Sequence, residues 1–226
     1  RRALDAFVTR RVVAKASTTN DDDDARKRRR VAPTNDGWRT FDDSLLARLD
    51  AACEPRAKIA AFDLDDTLQK TKSGAKAFAA RADDFTTLNE HVPRVLRALH
   101  DDGYKICIFS NQGGVKGALD GKRATSVRAR LALLATTLET PFQFYGATQM
   151  RENDVKKYRK GEIGMWRKMV AEHNGGVAPD LKASFFVGDA AGRAQDHSAV
   201  DKEFAENVGV RFFVPEQMFV EGEAWK

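Results

Sequence analysis

The run at residues 59–68, which reads IAAFDLDDTL, constrains this 226-residue chain more than any other. Four apolar residues of the kind that form a buried strand precede three carboxylates and a threonine, and core packing has no use for these charges. In an open parallel sheet, ligands bind at the carboxyl ends of the strands. Asp63 and Asp65 are two residues apart and project on the same side. We therefore expect both to face one crevice, where paired carboxylates can hold a divalent cation.

Strands and helices alternate along the following sequence. Val92, Val95, Leu96 and Leu99 recur with the spacing of one helical face, and the apolar run at 105–109 comes next. Further strands are predicted at 142–147, 183–187 and 210–214. The pattern predicts an α/β fold with a doubly wound, mainly parallel sheet. The segments after the first two strands are short, so we expect a minimal cap.

Two more predicted strands end in polar groups. Ser110 follows the second strand and leads into glycines at 113–114, which suits phosphate binding by a hydroxyl and backbone N–H groups. Asp189 follows the fourth strand and joins Asp63 and Asp65 at the same sheet edge. Hard oxygen ligands in this number predict a Mg²⁺ site.

Charge and residue usage narrow the function classes. The net charge of +5 and a pI near 9.2 favour a polyanionic partner. No apolar run approaches the roughly 18 residues that a membrane span requires, so no membrane partner is expected. Cys53 and Cys107 form no disulfide framework, which fits a reducing compartment, and the four scattered histidines argue against a zinc site.

Residues 1–36 differ from the rest and are predicted to be a basic, disordered arm, followed by one globular domain at 37–226. The basic run at 26–30 suits either nuclear import or contact with DNA phosphates, and a simple solvated charge run is the alternative. The Arg-rich start also resembles an organelle transit peptide. Leu4, Phe7 and Val8 resemble a degenerate sliding-clamp-binding box. We predict a nuclear protein, with an organelle as the alternative.

The motifs together resemble a known family. The run at 62–68 resembles the Asp-x-Asp-x-Thr signature of the haloacid dehalogenase superfamily of phosphatases. With the segments at 71–74, 109–114, 158–166, 187–193 and 196–209, it resembles the phosphatase domain of polynucleotide kinase 3′-phosphatase and its stand-alone DNA 3′-phosphatase relatives. The Gly-Met-Trp element at 164–166 and the Gly-Asp-Ala-Ala-Gly-Arg element at 188–193 are the most specific parts.

The resemblance implies a fold, an activity and a set of roles. It implies Asp63 as nucleophile, Asp65 as general acid and base, and Ser110 and Lys160 as stabilisers of the transferring phosphoryl group. Mg²⁺ would be held by Asp63, Asp189 and the backbone carbonyl of Asp65. The expected activity is removal of a 3′-phosphate from damaged DNA ends during strand-break repair. The protein is expected to be a monomer.

Position and charge suggest the residues that contact substrate or DNA. The predicted set is Thr67, Lys72, Asn111, Gln112, Lys157, Arg159 and Arg193, with Arg151 and Lys156 as further basic contacts.

Three departures from the family pattern stand out. Asp66 replaces the usual Gly, Gly161 replaces the usual Pro after the lysine, and Phe85 lies near a common Trp position. The sequence has no Gly-x-x-x-x-Gly-Lys-Ser/Thr loop, so no 5′-kinase activity is expected from this chain. Two other interpretations remain open: a phosphatase of the same fold acting on a small molecule or phosphoprotein, and a non-catalytic module that binds DNA ends or a clamp.

Overall fold

The computed structural model describes residues 37–77, 80–115, 121–220 and 225, with the backbone alone at Arg151. The predictions for the arm at 1–36, including its basic run and the Leu4, Phe7 and Val8 box, lie outside these residues.

A seven-stranded sheet forms the centre of the described part. Its strands lie in the order β1-β2-β7-β6-β3-β8-β9. The bounds are β1 Trp38–Phe41, β2 Leu45–Leu49, β3 Lys58–Phe62, β6 Tyr104–Asn111, β7 Phe142–Ala147, β8 Phe185–Val187 and β9 Arg211–Phe213. Five neighbouring strands of this sheet are parallel to one another, namely β7, β6, β3, β8 and β9. Counted along the chain, these five have the order 3-2-1-4-5, which is a doubly wound sheet, as predicted.

The first two strands were not predicted as strands. The sequence suggested that Trp38, Leu45, Leu46 and Leu49 pack a lead-in segment against the sheet, but β1 and β2 extend the sheet itself as an antiparallel hairpin beside β7. A three-residue turn at 42–44 joins them. Leu45 and Leu46 are both fully buried, so the strand lacks the alternation that marks a half-exposed strand.

Helices cover both faces of the sheet. The helices are α1 His91–Asp101, α2 Lys122–Leu138, α3 Gly164–His173, α4 Val200–Val208 and α5 Pro215–Phe219. One core cluster joins Phe62 and Ile108 of the sheet to α1, α2 and α5. The other joins Ala61 and Phe109 to α3 and α4. Successive residues of β3 and β6 therefore point into different cores, which is why both strands read as continuous apolar runs.

A small hairpin lies between β3 and α1. It consists of β4 Gln69–Thr71 and β5 Phe85–Thr87, and the 3₁₀ turn Ala82–Asp84 immediately precedes β5. This two-stranded sheet agrees with the expected minimal cap. Among the described helices, none has the length and apolarity needed to cross a bilayer.

Candidate active site

The candidate site lies where the direction of strand order reverses in the parallel sheet. Asp63 directly follows β3, and Asp189 follows β8, which pairs with β3 on the side opposite β6. The Asp63 backbone N–H donates to the carbonyl of Val187 over 2.8 Å, which ties the two strand ends together. The sheet topology thus brings both predicted carboxylates to one edge.

A third carboxylate completes the acidic group at this edge. Asp63, Asp189 and Asp201 each place one oxygen within 4.8 Å of the others. Asp201 lies in the first turn of α4 and is buried, and its Oδ2 accepts a hydrogen bond from the Ala190 N–H over 3.1 Å. A Cβ at Gly188 would lie 2.4 Å from that same oxygen, so glycine is required for Asp201 to reach the site.

Lys160 inserts its ammonium group between two of these carboxylates. Its Nζ donates to Oδ1 of Asp63 and lies 2.7 Å from Oδ1 of Asp201. The side chain is only 3% exposed. Such a buried cation needs paired charges, since an isolated one would cost several kcal/mol. The structure therefore places Lys160 beside the predicted nucleophile.

The loop before α3 holds Lys160 through its backbone. The carboxylate of Asp154 accepts from the N–H groups of Tyr158 (3.0 Å) and Arg159 (2.6 Å). Asn111 at the end of β6 accepts from the Lys160 N–H over 2.9 Å. Gly164 is also needed here, because a Cβ would lie 2.3 Å from the carbonyl oxygen of Lys157. The helix α3 begins at Gly164, four residues after Lys160.

Gly161, which replaces the family's usual Pro, is held from α4. Its carbonyl accepts from Asn207 Nδ2 over 2.9 Å. A Cβ at this position would lie 2.8 Å from Oε2 of Glu203, which is the end of a flexible side chain. The loop is therefore anchored on both sides of Lys160, by Asn111 before it and Asn207 after it.

Burial and like charges dominate the electrostatics. Burial, opposed by Lys160 and reinforced by Asp201 and Asp189, raises the pKa of Asp63 well above its usual value. Burial and the nearby Asp201 raise the pKa of Asp189 to about 6. Burial alone would lower the pKa of Lys160, but the attraction of Asp201 and Asp63 outweighs it and raises the pKa.

The acidic group fits a divalent cation. Three carboxylates face one ammonium group, so the ionised cluster carries an excess of negative charge at low dielectric. Hard oxygen donors at this spacing are the ligands that Mg²⁺ prefers. The residues that could hold the ion are Asp63, Asp189 and Asp201.

The side chain of Asp65 lies outside this acidic group. Its two oxygens accept hydrogen bonds from Nη1 (2.7 Å) and Nη2 (3.2 Å) of Arg130, and Gln112 Nε2 donates to Oδ2 over 3.1 Å. Gln112 also donates to Ser110 Oγ over 2.8 Å. Asp63 and Asp65 thus have different partners, and a metal bond to the Asp65 backbone carbonyl stays a prediction.

Thr67 and Asp66 shape the turn after β3. The buried Thr67 hydroxyl donates to Asp189 Oδ1 over 3.2 Å and accepts from the Asp189 N–H over 3.1 Å. Its contacts therefore position Asp189, and a substrate contact stays a prediction. Asp66 has a φ of +57°, in the left-handed region that favours glycine. This conformation explains why glycine is usual there and why aspartate, which tolerates the region, can replace it.

The predicted basic contacts are mostly held by acidic or carbonyl groups. Lys72 Nζ donates to the carbonyl of Asp83 (3.0 Å), and Lys156 and Lys157 pair with Asp42 (3.4 Å) and Glu162 (3.6 Å).

Arg193 folds back onto its own loop through Asp196 at 3.0 Å. Arg159 lies beside the Gly113 turn, where a Cβ would come within 3.2 Å of its Nη1. Contact of these side chains with DNA stays a prediction.

Two residues of the candidate site, Asp201 and Arg130, were not predicted from the sequence. Asp201 lay within a family-like segment but received no role. Arg130 interrupts the apolar stripe of α2, where it follows Val127 by three positions and directly precedes Leu131, and is itself buried. A charged residue on a helix face that otherwise faces the core was the available signal.

Several known proteins are similar to this chain in sequence. The sequence model described as Polynucleotide kinase 3 phosphatase matches residues 58–219. Polynucleotide 3′-phosphatase ZDP of Arabidopsis thaliana is 35% identical over 81% of the chain and 27% of its own length. The bifunctional polynucleotide phosphatase/kinase of Schizosaccharomyces pombe is 36% identical over 81% of the chain and 42% of its own length. The chain thus spans less than half of either relative.

A solved structure shares the fold. D,D-heptose 1.7-bisphosphate phosphatase from B. bronchiseptica superposes with a TM-score of 0.53 at 16% identity, covering 73% of this chain and 87% of that one. The fold is that of the haloacid dehalogenase-like phosphatases, as the resemblance implied. Because the family model covers more than half of the sequence and includes every strand and helix that builds the site, the chain belongs to the polynucleotide kinase 3 phosphatase family.

Proposed function

We propose that this chain is a metal-dependent phosphatase that removes the 3′-phosphate from DNA ends and leaves a 3′-hydroxyl. The observation that carries the proposal is the buried carboxylate of Asp63, which is bonded to Lys160 and lies beside Asp189 and Asp201 at the ligand-binding edge of the sheet. A purely structural edge would have no reason to bury two carboxylates around one lysine and to place a third, partly exposed carboxylate beside them.

The first half of the reaction forms a phosphoenzyme. A carboxylate oxygen of Asp63 attacks phosphorus, so that an Asp63 O–P bond forms while the bond from phosphorus to the sugar 3′ oxygen breaks. Asp65 gives its proton to that departing oxygen. Ser110 and Lys160 donate hydrogen bonds to the transferring oxygens.

The second half restores the enzyme. Asp65, now ionised, accepts a proton from the water that attacks the aspartyl phosphate, and inorganic phosphate leaves. A Mg²⁺ ion held by Asp63, Asp189 and Asp201 would supply positive charge that lets the Asp63 carboxylate approach an anionic phosphate ester.

Three observations support a polynucleotide substrate. Both relatives above are named as acting on polynucleotide phosphates. The net charge is +5, which favours a polyanion. Among the described residues, the segment between β3 and α1 contains the small β4–β5 hairpin and a 3₁₀ turn, and a site without a large cap there admits a macromolecular end. A role in strand-break repair, nuclear localisation, a monomeric state and clamp binding through the arm belong to the same proposal.

Phosphate release from a panel of substrates tests the proposal. The panel contains a nicked duplex with a 3′-phosphate, the same duplex with a 5′-phosphate, a phosphopeptide and a sugar phosphate, each with Mg²⁺ or with chelator. We expect Mg²⁺-dependent loss of the 3′-phosphate alone, and none from Asp63→Asn. Turnover restricted to the small substrates would favour the small-molecule alternative. Binding to the nick without any phosphate release would favour the non-catalytic alternative.

The covalent step has its own test. Asp65→Asn removes the base needed for hydrolysis and also the acid that a sugar oxygen needs, so the test uses phosphorus-labelled p-nitrophenyl phosphate, whose leaving group departs without a proton. Brief incubation with this ester should leave label on the protein. Hydroxylamine should release it, as expected for an acyl phosphate. Absence of label from Asp65→Asn on p-nitrophenyl phosphate, if the wild type hydrolyses that ester, would argue against the aspartyl phosphate.

A further inference from the structure

We propose that Arg130 is the positioning residue for Asp65: its guanidinium holds the Asp65 carboxyl group in the orientation from which it exchanges a proton with the leaving 3′ oxygen. This inference deepens the proposed function and rests on it, because it takes Asp65 as the proton donor.

The contact between the two side chains is bidentate. Nη1 and Nη2 of Arg130 each donate to a different oxygen of Asp65, over 2.7 Å and 3.2 Å. Parallel bonds of this kind fix the plane of a carboxylate as well as its distance, which a lysine ammonium cannot do. These two hydrogen bonds therefore hold the Asp65 side chain in one rotamer.

The guanidinium of Arg130 is itself fixed. Its side chain is 4% exposed, and its Cζ lies 4.4 Å from the centre of the Phe85 ring in β5. Phe85 belongs to the small hairpin, so Arg130 links that hairpin to α2 and to Asp65. Burying a guanidinium for packing alone is unfavourable, since apolar side chains of similar volume usually serve as well. The charge at this position therefore points to a role that requires it.

Gln112 extends the arrangement to the phosphate-binding side. Its Nε2 donates both to Asp65 Oδ2 (3.1 Å) and to Ser110 Oγ (2.8 Å). Arg130 thus orients Asp65, and Gln112 sets Asp65 relative to the hydroxyl that contacts the phosphoryl group. Movement of Asp65 away from Arg130 would disturb the proton donor without removing the nucleophile, Asp63, or its partner Lys160.

Asp65 and Arg130 also line one cavity. The Gly113–Gly114 turn, Arg123 and Ser126 form other parts of its wall. The side chain of Asp65 is 25% exposed, whereas that of Asp63 is 10% exposed. Asp65 is therefore the more accessible of the two carboxylates and lies on a cavity wall, as a group that exchanges a proton with a leaving group must.

The proposal predicts an effect that depends on the leaving group. A sugar 3′ oxygen is a poor leaving group and needs a proton, whereas p-nitrophenolate departs without one. Because kcat/KM reports steps up to departure of the leaving group, loss of Asp65 orientation should lower kcat/KM for DNA and spare that for p-nitrophenyl phosphate. A structural defect would lower both.

The experiment compares Arg130→Met and Arg130→Lys with the wild type on the nicked 3′-phosphate duplex and on p-nitrophenyl phosphate. We expect Arg130→Met to lose about tenfold or more in kcat/KM on DNA and less than about threefold on p-nitrophenyl phosphate. Arg130→Lys should recover only part of the loss. Arg48→Met is the matched control, since Arg48 also pairs with a carboxylate (Asp50, 3.2 Å) and lies over a ring (Phe142, 4.8 Å).

A double variant tests whether Arg130 acts through Asp65. If it does, Arg130→Met added to Asp65→Asn should cause little further loss on DNA. Full additivity, or equal losses on both substrates by Arg130→Met with unchanged thermal stability, would overturn the proposal. An Arg130→Met protein that does not fold would shift the test to Arg130→Lys, for which the same leaving-group contrast is required.

Failure of the proposed function looks different. A wild type that hydrolyses p-nitrophenyl phosphate and a sugar phosphate but no DNA end would remove the DNA substrate, and the Arg130 comparison would then use the sugar phosphate as the poor leaving group. A wild type inactive on every phosphate ester would overturn both proposals together.

Discussion

Lys160 donates a hydrogen bond from its buried ammonium group to the carboxylate of Asp63, the residue that follows the central strand β3. The same ammonium lies 2.7 Å from Asp201 on α4. One cation therefore offsets two buried anions that come from a strand end and a helix start. Under the proposed function the arrangement joins stability to catalysis, because the group that permits burial of Asp63 would also stabilise the phosphoryl oxygens.

Removal of this cation should destabilise the fold strongly. Lys160→Met keeps most of the length and the apolar stem but leaves Asp63 and Asp201 facing each other without a counter-charge. We expect a loss of about 3–5 kcal/mol in the free energy of unfolding, measured with urea at pH 7 in chelator. The double variant Lys160→Met with Asp201→Asn should recover part of the lost free energy of unfolding, because one of the two anions is removed. A double variant less stable than Lys160→Met would contradict this explanation.

A pH-dependent contribution is expected from His173 at the end of α3. Its Nδ1 lies 3.1 Å from the Tyr145 hydroxyl, and its ring packs against Phe41 and Tyr145. Burial, assisted by Lys168 and Lys105 and opposed by Glu172, lowers the pKa of His173. The folded protein thus favours the neutral ring.

The lowered pKa of His173 determines whether stability rises or falls with pH. A histidine with a lowered folded pKa contributes stability above its unfolded pKa of about 6.5 and loses it as the pH falls through the folded value. Between pH 7.5 and 5.5, the urea midpoint of the wild type should fall more than that of His173→Gln, which cannot titrate. Parallel falls in the two proteins would show that the His173 ring makes no such contribution.

Periodicity and strand ends predicted much of the site. The strands β3, β6 and β7 are buried on both faces, so each one reads as a continuous apolar run in the sequence. Residues directly after parallel strands lie at the same edge of the sheet. Asp63 and Asp189 follow from that rule, and Ser110, the second-to-last residue of β6, lies at the same edge because its strand ends there. The rule says nothing about α4, so the position of Asp201 in the acidic group depended on a helix approach that local sequence does not encode.

Long-range pairing explains the other differences. Leu45 to Leu49 forms a strand because β7, about a hundred residues later, offers an edge to pair with. Arg130 is buried because Asp65 and Phe85, both distant in sequence, meet it. In each case the local segment is compatible with a simpler structure, and a tertiary contact decides the outcome.

The backbone at Asp66 predicts which substitutions the turn after β3 accepts. At a φ of +57°, a side chain with a Cβ is strained, and alanine cannot use the local hydrogen bonds that help aspartate tolerate this region. We expect Asp66→Ala to be less stable than Asp66→Gly by about 1 kcal/mol, with the phosphatase activity of Asp66→Gly close to that of the wild type. Thermal unfolding and phosphate release measure the two effects.

Glu139 is the control for that comparison. It also has a left-handed backbone, with a φ of +51°, but it lies at the end of α2 and is exposed. Glu139→Ala and Glu139→Gly should differ in the same direction. A gain from glycine at Glu139 but not at Asp66 would mean that contacts in the site, and not backbone strain, determine the stability of the turn.

Divalent metal should bind through the acidic group and stabilise the protein by mass action. At a Mg²⁺ concentration about 100 times the dissociation constant, binding to the folded state alone adds about 2.7 kcal/mol to the free energy of unfolding. We expect Mg²⁺ to raise the unfolding temperature of the wild type and chelator to reverse it. Asp189→Asn should lose most of this response because it removes one of three charged ligands.

Asp196 provides the matched comparison for the metal prediction. It lies seven residues after Asp189, and its carboxylate is held by Arg193 at 3.0 Å and by the N–H groups of Ala191 and Arg193. It takes no part in the acidic group. Asp196→Asn should lower basal stability yet keep the full Mg²⁺ response, measured as the shift in unfolding temperature. Equal Mg²⁺ responses in Asp189→Asn and the wild type would exclude Asp189 as a ligand and separate the metal site from the Asp63, Asp189 and Asp201 group.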